Sequence, residues 1–375
     1  MRVFGIVCEC NPFHAGHRLI LEKARENGAD AVIAVMSGDF VQRGEPAMVS
    51  KFARAADLAD GGADLVFELP VRYALSSAEG FAEGAVRLLK GTGIADTLFF
   101  GSECGDIRLI SEAARLVSDG RLTSETALLA EQGLSWPAAR QRALVSMGHE
   151  KAAELLNSPN NILAVEYLKA LESTGSSMKA LTVKREDDGF TAHGVRERYI
   201  RGEDISSLVS ERTMEELRRG GTPDREAWSR IALYRLRSMT RQQFAELEDV
   251  SGGLDSRIYA AAKTAASLEE LYEAVKTKRY TMSRVKRVIA RAVLDIKGRG
   301  GEPGYLRLLA IGERGKELLS LMAGKSVLPV IAGLKSAEGE AEAAEEMRAT
   351  DLYSLIKRNP TPAFEDYTGK LYVKT

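Results

Sequence analysis

The sequence predicts an α/β protein in which a five-stranded parallel sheet, within residues 1–200, is followed by a mostly helical domain over residues 201–375. In the first half, short β-branched apolar runs alternate with helical patterns of about 12–18 residues. These runs are apolar on both faces, which is typical of parallel strands covered by helices on both sides. Beyond residue 200, apolar positions recur every three to four residues, as in amphipathic helices.

Each strand is predicted from one apolar run, and the runs cover residues 3–8, 31–36, 64–69, 97–100 and 178–183. The helices between them are predicted over residues 16–27, 50–59, 77–89 and 107–118. The fourth connection is much longer than the others, because residues 124–147 and 160–173 also have helical patterns. We therefore expect a helical insertion at about residues 120–175.

Composition and charge exclude several classes of protein. The 52 Lys and Arg residues are balanced by 53 Asp and Glu, so a net charge of −1 excludes binding of nucleic acid by bulk charge alone. Three cysteines are too few for a disulfide framework and indicate a reducing compartment. No run approaches the roughly 20 apolar residues that span a bilayer. We expect a cytoplasmic protein with no membrane partner; its oligomeric state is not predicted.

The segment after the first strand, residues 9–17 (ECNPFHAGH), has the features of a phosphate site. In a parallel sheet the loop at a strand's carboxyl end opens into the ligand crevice, and the next helix presents unpaired N–H groups and a positive dipole end. Gly16 lets a phosphate approach the backbone closely. His14 and His17 are three residues apart, so a helical start places both rings on one side of the turn, able to donate to phosphate oxygens.

Two other uses of these residues remain open at this point. His14 and His17 can be ordinary surface residues near a helix start. Together with Cys8 and Cys10 they also make a tetrahedral zinc set, although structural zinc sites usually separate their cysteines by two to four residues. Two of the chain's four histidines lie with Gly16 at the best anion-binding position of the predicted fold, which favours phosphate and no protein-bound metal.

Residues 5–17 (GIVCECNPFHAGH) and 36–47 (MSGDFVQRGEPA) together resemble the bacterial tRNA(Met) cytidine acetate ligases, which belong to the HxGH nucleotidyltransferase superfamily. Further matches follow in order at residues 99–103 (FFGSE), 158–167 (SPNNILAVEY), 279–281 (RYT) and 284–287 (RVKR). Two residues depart from the pattern: Cys10 stands where an aromatic residue is expected, and Ala15 where Asn is expected. The superfamily's small-hydroxyl phosphate loop is only partly recognisable near residues 192–196, so its role, and that of His193, is open.

The resemblance implies a Rossmann-like nucleotidyltransferase domain that uses ATP to activate acetate as acetyladenylate. The acetyl group would then pass to the wobble cytidine of elongator tRNA(Met), giving N4-acetylcytidine. It further implies that His14 and His17 are catalytic residues holding the ATP phosphates, with magnesium as a possible companion of ATP. The implied ATP-binding residues are Val7, Cys8, Glu9, Cys10, Asn11, Pro12, Phe13, His14, Ala15, Gly16, His17, Arg18, Leu19, Ile20, Gly101, Asn161 and Arg185.

Three of these assignments have plainer alternatives. Gly101, which would admit the nucleotide against bare backbone, can equally form a strand-end turn. Asn161 can cap the helix that follows residue 159. Arg185 can be an ordinary surface charge.

The segment 276–299 holds nine Lys and Arg residues and one acid, Asp295, in a chain of net charge −1. With Tyr280 beside it, this basic face predicts a phosphate-binding patch for tRNA. The candidates are Lys278, Arg279, Arg284, Lys286 and Arg287. The alternative is a solvated helix neutralised by the acidic run at 338–346. In the loop 37–47, Gln42 and Arg43 are candidates for holding the acyl or acceptor group, unless that loop is a surface excursion.

Two rival functions remain. An adenylyltransferase acting on a small phosphorylated metabolite would share the HxGH element, but it gives no reason for the basic segment. A non-catalytic RNA-binding protein would use a decayed nucleotide fold as its scaffold, but His14, Gly16 and His17 are intact.

Overall fold

The computed structural model describes residues 1–185, 191–298, 301–337, 339–369 and 371–375. The strands are β1 (Val3–Cys8), β2 (Ala31–Ser37), β3 (Phe40–Val41), β4 (Glu45–Pro46), β5 (Leu65–Leu69), β6 (Thr97–Ser102), β7 (Lys179–Lys184), β8 (Leu306–Ile311), β9 (Val330–Ile331) and β10 (Tyr372–Val373). The helices of the first 200 residues are α1 (Ala15–Glu26), α2 (Lys51–Asp60), α3 (Val71–Ala74), α4 (Ala78–Gly91), α5 (Ile107–Val117), α6 (Gly120–Glu131), α7 (Trp136–Ser146), α8 (Glu150–Leu155), α9 (Pro159–Ser173) and α10 (Ala192–Ile200). The later helices are α11 (Glu211–Arg218), α12 (Arg225–Ser238), α13 (Arg241–Ala245), α14 (Leu254–Thr264), α15 (Leu268–Val275), α16 (Met282–Leu294), α17 (Gly315–Met322), α18 (Ala341–Ile356) and α19 (Glu365–Thr368), with a 3₁₀ turn at Leu334–Ala337.

The main sheet has the strand order β10-β8-β5-β2-β1-β6-β7, with β9 also paired to β8. The five predicted strands correspond to β1, β2, β5, β6 and β7, and they are mutually parallel. From β1 the chain proceeds outward through β2 and β5, then returns to β6 on the other side of β1. This reversal creates a switch point between β1 and β6, and ligands of open α/β sheets bind at the carboxyl ends of the strands there.

The C-terminal half is mostly helical, as predicted, but it also adds the strands β8, β9 and β10, which the predicted five-stranded sheet does not include. Strand β8 pairs antiparallel with β5, and β10 pairs parallel with β8. All six residues of β8 are buried. A short apolar run cannot be assigned to a strand or a buried helix by periodicity alone, and the partner strand of β8 lies about 240 residues earlier in the chain. The division at residue 200 stays a prediction.

Both faces of the parallel sheet are buried, which explains the uninterrupted apolar runs. Along β1 and β2, Val3 and Ile33 pack on the side covered by α4 and α9, whereas Phe4 and Val32 pack on the side covered by α1 and α2. A further core holds the helices α12–α16 and α18 together. Phe40 of β3 enters that core, so the β3–β4 hairpin joins the sheet to the helical region.

Buried ion pairs hold the end of the chain on the sheet. The Lys51 ammonium lies 2.7 Å from the Glu68 carboxylate and 2.8 Å from that of Asp366. Arg307 of β8 lies 3.0 Å from Asp366. All four side chains are almost fully buried, so each charge depends on its partners for stabilisation.

Helices α6 to α9 occupy the region of the predicted insertion, but the chain divides into helices there differently from the prediction. The single helix expected over residues 124–147 is two helices, α6 and α7. Between them Gly133 has a φ of 97°, a left-handed conformation that ends α6 at little cost for glycine. The short helix α8 was not predicted, whereas α9 agrees with the predicted helix to within one residue.

Candidate functional site

The loop from β1 to α1 lies at the switch point, and its apolar side chains anchor it. Cys10 and Phe13 are buried in the core under α1 and α2. Cys10, which stands where the family pattern has an aromatic residue, therefore occupies a core position rather than the open side of the loop. Of the residues that follow, Ala15 and Arg18 are exposed and Gly16 is half-buried, as are Leu19 and Ile20.

The two histidines cap the start of α1 with their own rings. The Gly16 N–H donates to His14 Nδ1 at 3.0 Å, and the His14 N–H donates to His17 Nδ1 at 3.3 Å. The ring centroids are 4.2 Å apart. Because each Nδ1 accepts a hydrogen bond, the hydrogen-bond network assigns the remaining ring proton to Nε2. The same capping hydrogen bonds therefore fix the orientation of both imidazole rings relative to the first N–H groups of α1.

The environment of His17 favours its neutral form. Burial, together with the charges of His14 and Arg185, lowers the pKa of His17 well below its ordinary value. The Phe13 ring stacks on the His17 ring with centroids 5.7 Å apart, which fixes the imidazole plane. A neutral imidazole with its proton on Nε2 is a fixed donor, from which a phosphate oxygen can accept a hydrogen bond.

Glu9 connects this loop to the β3–β4 hairpin. Its carboxylate accepts a hydrogen bond of 2.6 Å from the Gln42 N–H. Burial raises the pKa of Glu9, and the Gln42 N–H and the charges of Arg196, Arg43 and Arg54 oppose that rise. The predicted ATP loop and the predicted acceptor loop are thus in direct contact.

Arg54 is a structural residue of the site that sequence reasoning missed. Its fully buried guanidinium donates to the carbonyls of Glu9 at 2.7 Å, Ser37 at 3.1 Å and Val49 at 3.0 Å, and also to that of Gly38. It therefore holds the loop after β1 against the loop after β2. The only sequence signal was a lone Arg among alanines on α2.

Gly101 and Arg185 lie together beside the histidines. Gly101 is at the end of β6, where a Cβ would lie 2.9 Å from Arg185 Cγ and 3.8 Å from Ile20 Cδ1. The exposed Arg185 directly follows β7, and its N–H donates to the Ser102 carbonyl at 2.8 Å. The bare backbone at residue 101 therefore lets the Arg185 side chain lie against β6, where its charge acts on His17.

Asn161 is buried and does not cap α9, whose N-cap is Ser158. Its Oδ1 accepts from the Cys104 N–H at 3.1 Å, and its Nδ2 donates to the Leu155 carbonyl at 3.1 Å. Its own N–H donates to the Glu103 carboxylate at 2.7 Å. These bonds place the start of α9 against the loop after β6, and a contact of Asn161 with ATP stays a prediction.

The region of the partly recognisable phosphate loop forms the start of α10. Thr191 is its N-cap and accepts from the Gly194 N–H at 3.0 Å, while His193 is exposed. Arg196 Nη1 donates to the Asn11 carbonyl at 2.5 Å. The start of α10 therefore lies beside the ATP loop despite the departure of its sequence, and its role stays open.

The predicted tRNA-binding residues divide into two groups. Lys278 and Arg279, just before α16, are exposed. Arg284 and Arg287 pair with Asp249 at 3.1 and 3.2 Å. In the same helix, Lys286 pairs with Glu45 and lies over the Tyr272 ring, 5.3 Å from its centroid.

The exposed pair is thus the part of the cluster most available to a ligand. Tyr280 is buried, and its hydroxyl donates to the Gly252 carbonyl, so its ring does not face the surface as the sequence suggested. Arg299 of the basic segment and Glu338 of the acidic run lie outside the described residues.

A cleft of about 700 Å³ brings the acceptor loop and the basic segment together. Gln42 and Arg43 line it with Arg279, Arg284 and Arg287. The hairpin packs directly on α16: at Gly44, whose φ is 78°, a Cβ would collide with the α16 backbone. The loop 37–47 is therefore not a free surface excursion.

Two further findings bear on the alternatives. Among the described residues, which include Cys8, Cys10, His14 and His17, no group of three or more His, Cys, Asp or Glu could hold a metal ion. Within the same part of the chain, no helix is long and apolar enough to cross a membrane.

The parallel sheet, its switch point and the histidine pair at the start of α1 define a nucleotidyltransferase-type site. In agreement with this, the chain belongs to the HIGH Nucleotidyl Transferase family, which it matches over residues 1–367. It is 36% identical, over 100% of both chains, to the tRNA(Met) cytidine acetate ligase of Acetivibrio thermocellus. It is 35% identical, over 99% of each, to the protein of that name from Thermoanaerobacter sp..

A solved structure is similar over the same extent. Thermotoga maritima TmcAL bound with alpha-thio ATP superposes with a TM-score of 0.92 and 31% identity, covering 100% of both chains. The similarity thus extends through the insertion and the C-terminal helices as well as the nucleotide-binding part.

Proposed function

We propose that the protein is an ATP-dependent tRNA(Met) cytidine acetate ligase. The observation that carries this proposal is the histidine pair capping α1 at the switch point, in a chain similar along its whole length to proteins of that name. The binding of an ATP analogue by the similar Thermotoga maritima protein supports ATP as the substrate. Since the proposed acceptor substrate is tRNA, the protein would act in the cytoplasm.

In the first step an acetate oxygen attacks the α-phosphorus of ATP, and the bond to the β-phosphate oxygen breaks. Acetyladenylate forms and pyrophosphate leaves with the electron pair. His14 and His17 would donate from Nε2 to phosphate oxygens, with the N–H groups at the start of α1 beside them. Arg185, whose charge acts on His17, would neutralise charge on the leaving group. No protein nucleophile is needed, because both reactants are positioned by the site.

In the second step the 4-amino group of cytidine attacks the acetyl carbonyl of the adenylate. AMP leaves with the electron pair of the broken C–O bond, and the amine loses one proton. The acetyladenylate is a mixed anhydride that water would also attack, so the site must limit its exposure. Gln42 and Arg43 would hold the acyl or acceptor group, because their hairpin contacts the ATP loop through Glu9 and also lines the cleft.

The tRNA would bind across the start of α16. Lys278 and Arg279 would carry most of the phosphate contacts, because Arg284, Lys286 and Arg287 already pair with carboxylates of the chain. Magnesium would enter bound to the phosphates of ATP.

The proposal also divides the chain into an ATP-binding part within residues 1–200 and a tRNA-binding part beyond residue 200.

The test measures pyrophosphate release from ATP with acetate and tRNA(Met) added singly and together, with and without EDTA. A ligase releases pyrophosphate only when acetate is present, and fastest when tRNA is also present. A metabolite adenylyltransferase would ignore both additions, and a protein that only binds RNA would release none; either result would contradict the proposal. Loss of activity in EDTA, restored by magnesium, would support the companion metal.

A further inference from the structure

The cleft beside the acceptor loop has a second wall, formed by the helical insertion, that the proposed reaction does not yet use. Trp136 and Arg140 of α7 and Glu166 and Lys169 of α9 line it, together with Arg279, which lies just before α16. The indole of Trp136 is 47% exposed. By contrast, the chain's other tryptophan, Trp228, is buried in the helical core.

Exposure alone does not single out Trp136, because Leu128 in the same insertion is 56% exposed. The difference is location: Leu128 does not line the cleft, whereas Trp136 and the neighbouring Pro137 do. Trp136 is the first residue of α7, which fixes its backbone. A large aromatic face is therefore held at the rim of a concave site.

The charge of the cleft indicates what would lie on that face. Six cations and three carboxylates line it: Arg43, Arg140, Lys169, Arg279, Arg284 and Arg287 against Glu79, Glu166 and Asp249. Each carboxylate pairs with one or two of these cations. Among the described residues, Arg43 and Arg279 line the cleft with no carboxylate within ion-pair distance, although the charge of Arg43 acts on Glu9. A positive groove with an exposed aromatic ring is the chemistry that binds single-stranded nucleic acid.

We propose that Trp136 is a stacking platform for one base of the single-stranded loop of the tRNA, and that the insertion and the start of α16 hold that loop between them. This inference rests on the proposed function. The volume of about 700 Å³ lies within the range of about 300–1,000 Å³ typical of small-ligand pockets, so a splayed base fits.

The position of the cleft links this platform to the chemistry. The cleft reaches Gln42, whose N–H is bonded at 2.6 Å to Glu9 of the ATP loop. A loop base stacked on Trp136 would therefore place its neighbouring nucleotides toward the acetyladenylate. The insertion then acts as a positioning element for the acceptor cytidine.

The test uses an RNA stem-loop with the anticodon sequence of tRNA(Met), and intrinsic tryptophan fluorescence. RNA should quench the wild-type emission, since one of the two tryptophans is exposed in the cleft and the other is buried. Trp136→Leu keeps an apolar side chain but removes the π face, and should weaken RNA binding about 5-fold to 150-fold. Trp136→Phe should retain most of the affinity, and Leu128→Ala, the matched control, should bind like wild type.

Acetate-dependent pyrophosphate release without RNA should be unchanged in all three variants. Equal RNA affinity of wild type and Trp136→Leu, or an unquenched emission with RNA bound, would overturn the stacking role while leaving the ligase intact. Failure of the wild type itself to bind the stem-loop and to form acetyladenylate would instead overturn the proposed function, and this inference with it.

Discussion

Replacing His17 by Asn separates two roles of this side chain. The His17 Nδ1 accepts the His14 N–H at 3.3 Å, and the amide Oδ1 of Asn is bonded to Cγ just as Nδ1 is, so this capping bond can be kept. The Nε2 proton, which we propose donates to phosphate, has no counterpart in Asn. The variant therefore removes the donor with little change to the start of α1.

Losing one preorganised hydrogen-bond donor that stabilises the charge developing in the transition state lowers the rate by about 10²-fold to 10³-fold, or about 2.7–4 kcal/mol of activation free energy. We expect His17→Asn to lose this much acetyladenylate formation while unfolding in urea like wild type. His17→Ala should lose a similar rate and, because the capping bond is also gone, about 0.5–2 kcal/mol of stability.

The assay is acetate-dependent pyrophosphate release, paired with urea unfolding of each variant. His149→Ala is the matched control for His17→Ala: His149 is the N-cap of α8 in the insertion and makes no side-chain capping bond, so both readouts should stay unchanged. A folded His17→Asn variant with the wild-type rate would refute the phosphate role of the Nε2 donor.

Three further predictions concern charge. Changing Lys278 and Arg279 to Ala should make the plot of log affinity for tRNA against log salt concentration less steep, by about 0.7–0.9 for each phosphate that the variant no longer neutralises, and should leave ATP binding unchanged. An unaltered slope in a salt titration would show that these two side chains are solvated and do not contact tRNA. Lys51→Met leaves the buried Glu68 carboxylate without its ion-pair partner and leaves Asp366 paired with Arg307 alone, so it should cost about 3–5 kcal/mol in urea unfolding, whereas a loss below about 1 kcal/mol would contradict the ion-pair account. Because the pKa of His17 is lowered in the folded state, the unfolded chain binds more protons below pH about 6.5, and the free energy of unfolding should decrease as the pH is lowered from there to the pKa of the folded state. Subtracting the pH profile of the unfolding free energy of His17→Asn from that of the wild type should isolate this contribution, and identical profiles would exclude it.

Local signals in the sequence were sufficient to predict the parallel part of the sheet and the position of the histidines. The apolar runs of β1, β2, β5, β6 and β7 are short, β-branched and bounded by turns, and the loop after β1 necessarily opens at the carboxyl end of its strand. The structure confirms the predicted α/β class, which was inferred from the same local signals.

Features that depend on contacts between distant segments were not predictable. Strand β8 is defined by pairing with β5, and Arg54 acts through four backbone carbonyls of loops that only the fold brings together. Tyr280 was expected beside the basic surface, yet it faces inward. The exposed and buried sides of a short segment cannot be told apart from the sequence when the residues packed against it are unknown. The pairing of Arg284 and Arg287 with Asp249 is hidden from a count of charges in the same way.

Transfer of acetate to a single nucleoside is the most direct measurement of the central claim. The protein is incubated with ATP, labelled acetate, and either tRNA(Met) or the same tRNA carrying uridine at the wobble position, which lacks the 4-amino group. The account predicts label on the cytidine form alone, recovered as N4-acetylcytidine after nuclease digestion. No label on either tRNA, from protein that binds ATP, or equal label on both, would contradict it.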